Sequence, residues 1–175
     1  MLFKKSQIWV ETVIYTLIGL TLIAIVFSIA TPQIQIIKDK SVISQTADSL
    51  LVLNKELLSV GDVSGNVRIV QFKTTKGSLT IDETNDTIFY VLEDTSAKFS
   101  EPGVSVVDGD ITYLTQSRGR RYTVKLLLAY DTFDISTSGH GSNVLSSGGV
   151  THKIRIENLG FNQTSGKTMI GIGTI

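Results

Sequence analysis

The sequence predicts an α+β chain, with a long N-terminal hydrophobic α-helix followed by an antiparallel β-sandwich-like head domain. Three observations predict it. Residues 13–30 form 18 consecutive positions without a charge. Apolar residues then recur at helical spacing, and no glycine falls between Gly19 and Gly61. From Gly61 onward the chain turns to β-branched residues, alternation and frequent Gly, Asn, Asp and Ser, the pattern of strands joined by tight turns.

The uncharged run reaches about 27 Å as a helix, close to the hydrocarbon thickness of a bilayer. A cleaved secretory signal also opens on positive residues, here Lys4 and Lys5, but its apolar region covers only about 7 to 15 residues and ends at small residues. In "FSIATPQIQII" the chain stays apolar past the one candidate, "SIA", so the run reads as a membrane span. Lys4 and Lys5 lie on its short side. The positive-inside rule then keeps the N-terminus cytoplasmic and exports the rest.

Beyond the span, Ile36, Ile43, Ala47, Leu50 and Leu57 fall at helical periodicity. The polar residues Lys38, Asp39, Lys40, Gln45, Asp48, Lys55 and Glu56 are expected on the opposite surface. Pro32 removes the hydrogen bond to the Ser28 carbonyl and is expected to kink or loosen the helix. Unbroken from Gln7 to Leu58, the helix would be roughly 78 Å long. The organisation expected is a leader over 1–6, a helix over 7–59 with its amphipathic extension over 33–59, and an exported head over 60–175.

In the head, "NVRIVQFKT" and "SLTIDE" flank a turn at Gly77, and "TNDT" leads into "TIFYVLED". "EPGVSVVDGDITYLT" carries two turn pairs, Pro102-Gly103 and Asp108-Gly109. "RRYTVKLLLAYDTFDIS" is the longest strand-like run, and its unalternating middle predicts a central strand covered on both faces. "STSGHGSNVLSSGG" reads as a loop, and "VTHKIRIENL" and "KTMIGIGTI" as a closing hairpin around "GFNQTSG".

Composition narrows the chemistry. With 16 basic and 16 acidic residues the formal charge is zero, which gives no electrostatic argument for nucleic acid as a partner. Without cysteine there is no disulfide framework, thiol nucleophile or cysteine metal site. His140 and His152 have no partner at metal-ligand spacing. "SGHGS" lacks the pattern of a nucleophile elbow, and a turn explains "VVDGDI" without calcium. No catalytic set, cofactor or metal is predicted. "QSRGRRYT" reads as a solvated basic hairpin turn, with a subunit or glycan contact as the alternative. Asn85 and Asn162 open N-glycosylation sequons in expected turns.

Glu11 is the carboxylate at the start of the apolar run. A charge at the centre of a membrane helix costs about 2.5 to 3.5 kcal/mol, and less near an interface. Glu11 therefore admits a plain reading as the edge of a signal anchor, beside interfacial Trp9. Its spacing admits another. A basic pair, Lys4 and Lys5, a small residue, Ser6, then Gln7, then Glu11 as the fifth residue counted from Gln7 resembles the class III signal of type IV pilins, above all archaeal ones.

The resemblance implies that a prepilin peptidase cuts between Ser6 and Gln7 and leaves the apolar helix on the mature protein. It also implies that the new α-amine of Gln7 pairs with Glu11 of a neighbouring subunit in an apolar bundle. Such a pair fixes axial register, because an unpaired charge there would be costly. The implied partners are further copies of the chain in a helical filament, the peptidase, a pilus assembly ATPase and a membrane platform protein. The implied location is the membrane before assembly and the cell surface afterwards, with adhesion the expected role. Ser6 departs from the glycine commonest before the cut and Gln7 from the phenylalanine of many bacterial pilins; both choices look archaeal. An unprocessed single-pass protein with a binding head, a minor pilin or pseudopilin, and an archaellin-like subunit remain alternatives.

Overall fold

The computed structural model describes residues 3–73, 75–137, 144–146 and 148–175, with side chains from residue 9 onward. The chain falls into two units, Met1–Lys38 and Asp39–Ile175. A single helix, α1 (Phe3–Gly61), supplies all the described secondary structure of the first unit and continues into the second. It runs through Pro32 without a break and takes in residues 3–6.

In the second unit the helix is amphipathic. Asp39, Ile43, Thr46, Ala47, Leu50, Leu53, Asn54, Leu57 and Val60 are buried, spaced by three, four and one as a single helical face requires. Ile43, Leu50 and Leu57 are each 0 % exposed, and full burial of such a side chain stabilises by about 1.5–3 kcal/mol. Asp39 corrects the sequence expectation, since it lies on the buried stripe and not with the solvated polar residues. It stands four residues before Ile43 and so in phase with it.

Ten strands follow among the described residues: β1 (Val67–Lys73), β2 (Ser78–Asp82), β3 (Thr87–Thr95), β4 (Ser105–Asp108), β5 (Ile111–Arg118), β6 (Arg121–Ala129), β7 (Phe133–Ser136), β8 (Val144–Ser146), β9 (Thr151–Asn162) and β10 (Lys167–Thr174). They form a four-stranded sheet in the order β1-β9-β10-β7 and a six-stranded sheet in the order β4-β5-β6-β3-β2-β8. Every pairing is antiparallel except one: β7 lies parallel to β10, with Ile135 opposite Ile170. The head is antiparallel-rich as expected; the one parallel pairing arises because β7 joins the edge of a sheet whose neighbouring strand comes from the far end of the chain.

The long run from Arg120 to Ser136 also divides. It breaks at Asp131-Thr132 into β6, inside the larger sheet, and β7, in the smaller one. Along β6 buried Val124, Leu126 and Leu128 alternate with half-buried Lys125 and Leu127, so its second face is only partly covered. On that face the Lys125 ammonium sits 3.8 Å from the centre of the Phe89 ring, a cation–π contact that shields part of the sheet. The closing hairpin forms as expected, β9 against β10. The Ser/Gly stretch holds a short strand, β8, whose Leu145 pairs with Leu79 and is buried.

Candidate assembly helix and its anchors

Side chains from Trp9 to Ile37 are almost all uncovered. Trp9 is 73 % exposed, Leu17 64 % and Phe27 65 %. No charged residue falls between Glu11 and Lys38. Among the described residues α1 is the one helix long and apolar enough to cross a membrane.

Four of its hydroxyl groups bond within the helix. Thr16 donates to the Thr12 carbonyl, Thr21 to Leu17, Ser28 to Ile25 and Thr31 to Phe27, each at 2.8 Å. A hydroxyl bonded to its own helix makes no further demand on its surroundings, which suits an apolar medium. Glu11 is exposed and makes no ion pair among the described residues. Lys4, Lys5, Ser6 and Gln7 lie on the helical backbone of α1, and their side chains are outside the described residues.

Within the second unit three buried polar side chains, Asp39, Asn54 and Asn158, anchor the helix. At its beginning the buried Asp39 carboxylate accepts from Lys76 Nζ at 2.9 Å through Oδ1, and from Thr95 Oγ1 and the Ser96 amide, each at 3.0 Å, through Oδ2. Burial pushes the Asp39 carboxyl up, but the bonds from Lys76, Ser96 and Thr95, with the Lys76 charge, outweigh it and hold it below the ordinary carboxylate value. In the middle, buried Asn54 donates to Asp110 Oδ2 at 2.8 Å. At the C-terminus Asn158 Nδ2 donates to the carbonyls of Val60 and Gly61, both at 3.0 Å.

The C-terminal anchor has a local cause. The register of β9 against β10 shifts between Met169 and Ile170, leaving Leu159 as the extra residue of a bulge, and Gly160 takes the left-handed φ of 100°. A bulge re-aims side chains. Here it accompanies an Asn158 carboxamide turned onto two carbonyls of a helix end, of which Val60's also receives the Val63 amide at 3.5 Å. Gly61 is required there for another reason, since a Cβ would fall 2.5 Å from the Phe133 ring.

Neither sequon asparagine is idle. Asn85 is exposed in the β2–β3 turn, and its Nδ2 donates to Asp82 Oδ2 at 2.7 Å. Asn162 is half-buried; its Nδ2 donates to Asp134 Oδ2 at 2.8 Å, and its Oδ1 accepts from the Thr164 amide. Between them, Asp86 at φ 50° accepts from the Ile135 amide and from Lys167 Nζ, and so ties the larger sheet to β7 and β10. The two sequons form no common site. His152 lies with its Nε2 3.1 Å from the Ser146 carbonyl oxygen, a structural contact; His140 is outside the described residues. No group of three or more metal-ligating side chains occurs among the described residues.

Sequence reasoning missed Asp39, Asn54 and Asn158. The phase of Asp39 with Ile43 and the Asn158-Leu159-Gly160 step were the available signals. Comparisons with protein-family models, curated proteins and solved structures found no match. What the geometry defines is a class: a chain with one membrane-competent helix continuing into a β-rich domain.

Proposed function

We propose that this chain is the structural subunit of a type IV pilus-like surface filament. In this reading a prepilin peptidase cuts between Ser6 and Gln7, and the head folds outside the membrane as a sandwich of its two sheets flanked by the second half of α1. An assembly ATPase and a membrane platform protein then move the helix from the lipid into a bundle of like helices. The filament serves attachment, and no catalytic role is assigned to the chain.

The observation that carries the reading is the uncovered apolar surface from Trp9 to Ile37 with one carboxylate, Glu11, near its start. A surface of that size cannot stay in water and has to be met by lipid or by other helices. Lipid alone gives Glu11 no partner, whereas a bundle of processed copies offers the α-amine of Gln7.

Glu11→Ala tests the reading against a plain membrane anchor. A filament subunit carrying it is expected to insert in the membrane at least as well as wild type and to yield no filaments. Undiminished filaments would refute the register role of Glu11.

A further inference from the structure

Strand β5 ends at both tips in the same kind of turn with opposite charges. At one tip Asp108 pairs with Ile111 across Gly109-Asp110, and at the other Arg118 pairs with Arg121 across Gly119-Arg120. Gly109 and Gly119 have φ of 60° and 69°, backbone that favours glycine at the first position of a two-residue hairpin turn. The turn-forming pair is thus Gly109-Asp110, one residue beyond the Asp108-Gly109 pair expected from sequence. Glycine meets the backbone requirement at each tip, and the charged neighbours are left to other uses.

Those neighbours are exposed. Arg118 and Arg120 make no ion pair among the described residues, and neither do Asp108 and Asp131. Arg121 is engaged by Asp94 at 3.6 Å and by Ser96. Exposed Asp131 follows the end of β6, which runs antiparallel to β5 and so finishes beside the acidic tip; the Lys167 ammonium, ion-paired with Asp86 at 2.7 Å, also feels the Asp131 charge. The eight residues of β5 separate the tips by roughly 26 Å, several times the screening length of about 8 Å at physiological salt. Within one molecule the two charges cannot neutralise each other.

We propose that the acidic Asp108–Asp131 end of one head docks on the basic Arg118–Arg120 tip of the next copy. Complementary patches at opposite ends of one molecule make a head-to-tail contact, which repeats without closing when no rotation brings it back on itself. Exposed charge pairs of this kind contribute modestly to affinity but set partner choice and register, and they weaken with salt. The inference rests on the filament reading and names a second contact within it, in the head and independent of Glu11.

Charge exchange tests it in cells that assemble the full-length chain. The variants are Arg118→Glu with Arg120→Glu, Asp108→Lys with Asp131→Lys, and all four together. Each double reversal is expected to lower filament yield about tenfold, and the fourfold variant to recover to within about twofold of wild type. Thermal unfolding of each chain in detergent accompanies the count; a variant that unfolds early is replaced by its neutral counterpart, Arg118→Gln with Arg120→Gln or Asp108→Asn with Asp131→Asn, which is expected to weaken filaments to a lesser degree. Double reversals that leave yield unchanged would overturn head-to-tail docking while leaving the filament reading intact. Losses that the fourfold exchange does not repair would also overturn it, since the charges would then serve another partner. Absence of filaments from the wild-type chain would remove the reading beneath it.

Discussion

Asp39 Oδ1 lies 2.9 Å from Lys76 Nζ, and the carboxylate is 1 % exposed while the lysine side chain is 48 % exposed. One partner is therefore buried and the other wet. The carboxylate depends on its donors more than the ammonium depends on it. Lys76→Met should leave Thr95 and Ser96 still donating to a buried charge that has lost its counter-ion, and the domain should lose about 1–3 kcal/mol. Chemical denaturation of wild type and variant at neutral pH measures this.

The same site sets an acid response. The folded Asp39 carboxyl is held below its ordinary value, so its contribution is present above the unfolded-state pKa and is lost as pH falls through the folded one. Lys76→Met removes a donor and a charge that lower it, and acid unfolding should then begin at higher pH than in wild type. Asp39→Asn should flatten this part of the pH dependence. Circular dichroism followed during acid titration distinguishes the three chains.

Much of this architecture was legible in the sequence. The helix declared itself through the uncharged run and through apolar residues in phase from Ile43 to Leu57, because helical periodicity is a local property. Most strand positions were legible for the same reason, but β8 lay in a stretch expected to be a loop, and β6 and β7 were read as one run. The parallel pairing of β7 with β10 was not legible, since it joins segments that are distant in the chain. Asp39 was misplaced because residue type was weighed above phase, and a buried carboxylate is recognised only once donors such as Thr95 at the end of β3, Ser96 just beyond it and Lys76 in the β1–β2 connection have been brought to it. The acidic and basic tips of β5 could be read as turns but not as opposite ends of one strand.

Tyr130 offers a prediction of opposite sign. Its hydroxyl is buried with no hydrogen-bond partner among the described residues, and burial, with the nearby Asp110 charge, pushes it above the ordinary tyrosine value. An unsatisfied buried hydroxyl costs about 1–3 kcal/mol. Tyr130→Phe keeps the ring against Phe133, 6.2 Å between centres, and should raise the midpoint of thermal unfolding.

At the end of α1, two substitutions should act through different causes. Gly61→Ala places a Cβ 2.5 Å from the Phe133 ring, and displacement of that ring should cost about 1–3 kcal/mol. Asn158→Ala removes the side-chain donor of two helix-end carbonyls, leaving Val60's with the Val63 amide at 3.5 Å, and should cost about as much. Phe133→Leu should relieve the first loss and leave the second. A double-mutant cycle on unfolding free energies checks that selectivity.

The central claim is that the N-terminal helix becomes an assembly surface after a cut between Ser6 and Gln7. Mass spectrometry of filaments sheared from the cell surface tests it most directly. The account predicts chains that begin at Gln7 with a free α-amine; finding the chain only in membranes, intact from Met1, would contradict it.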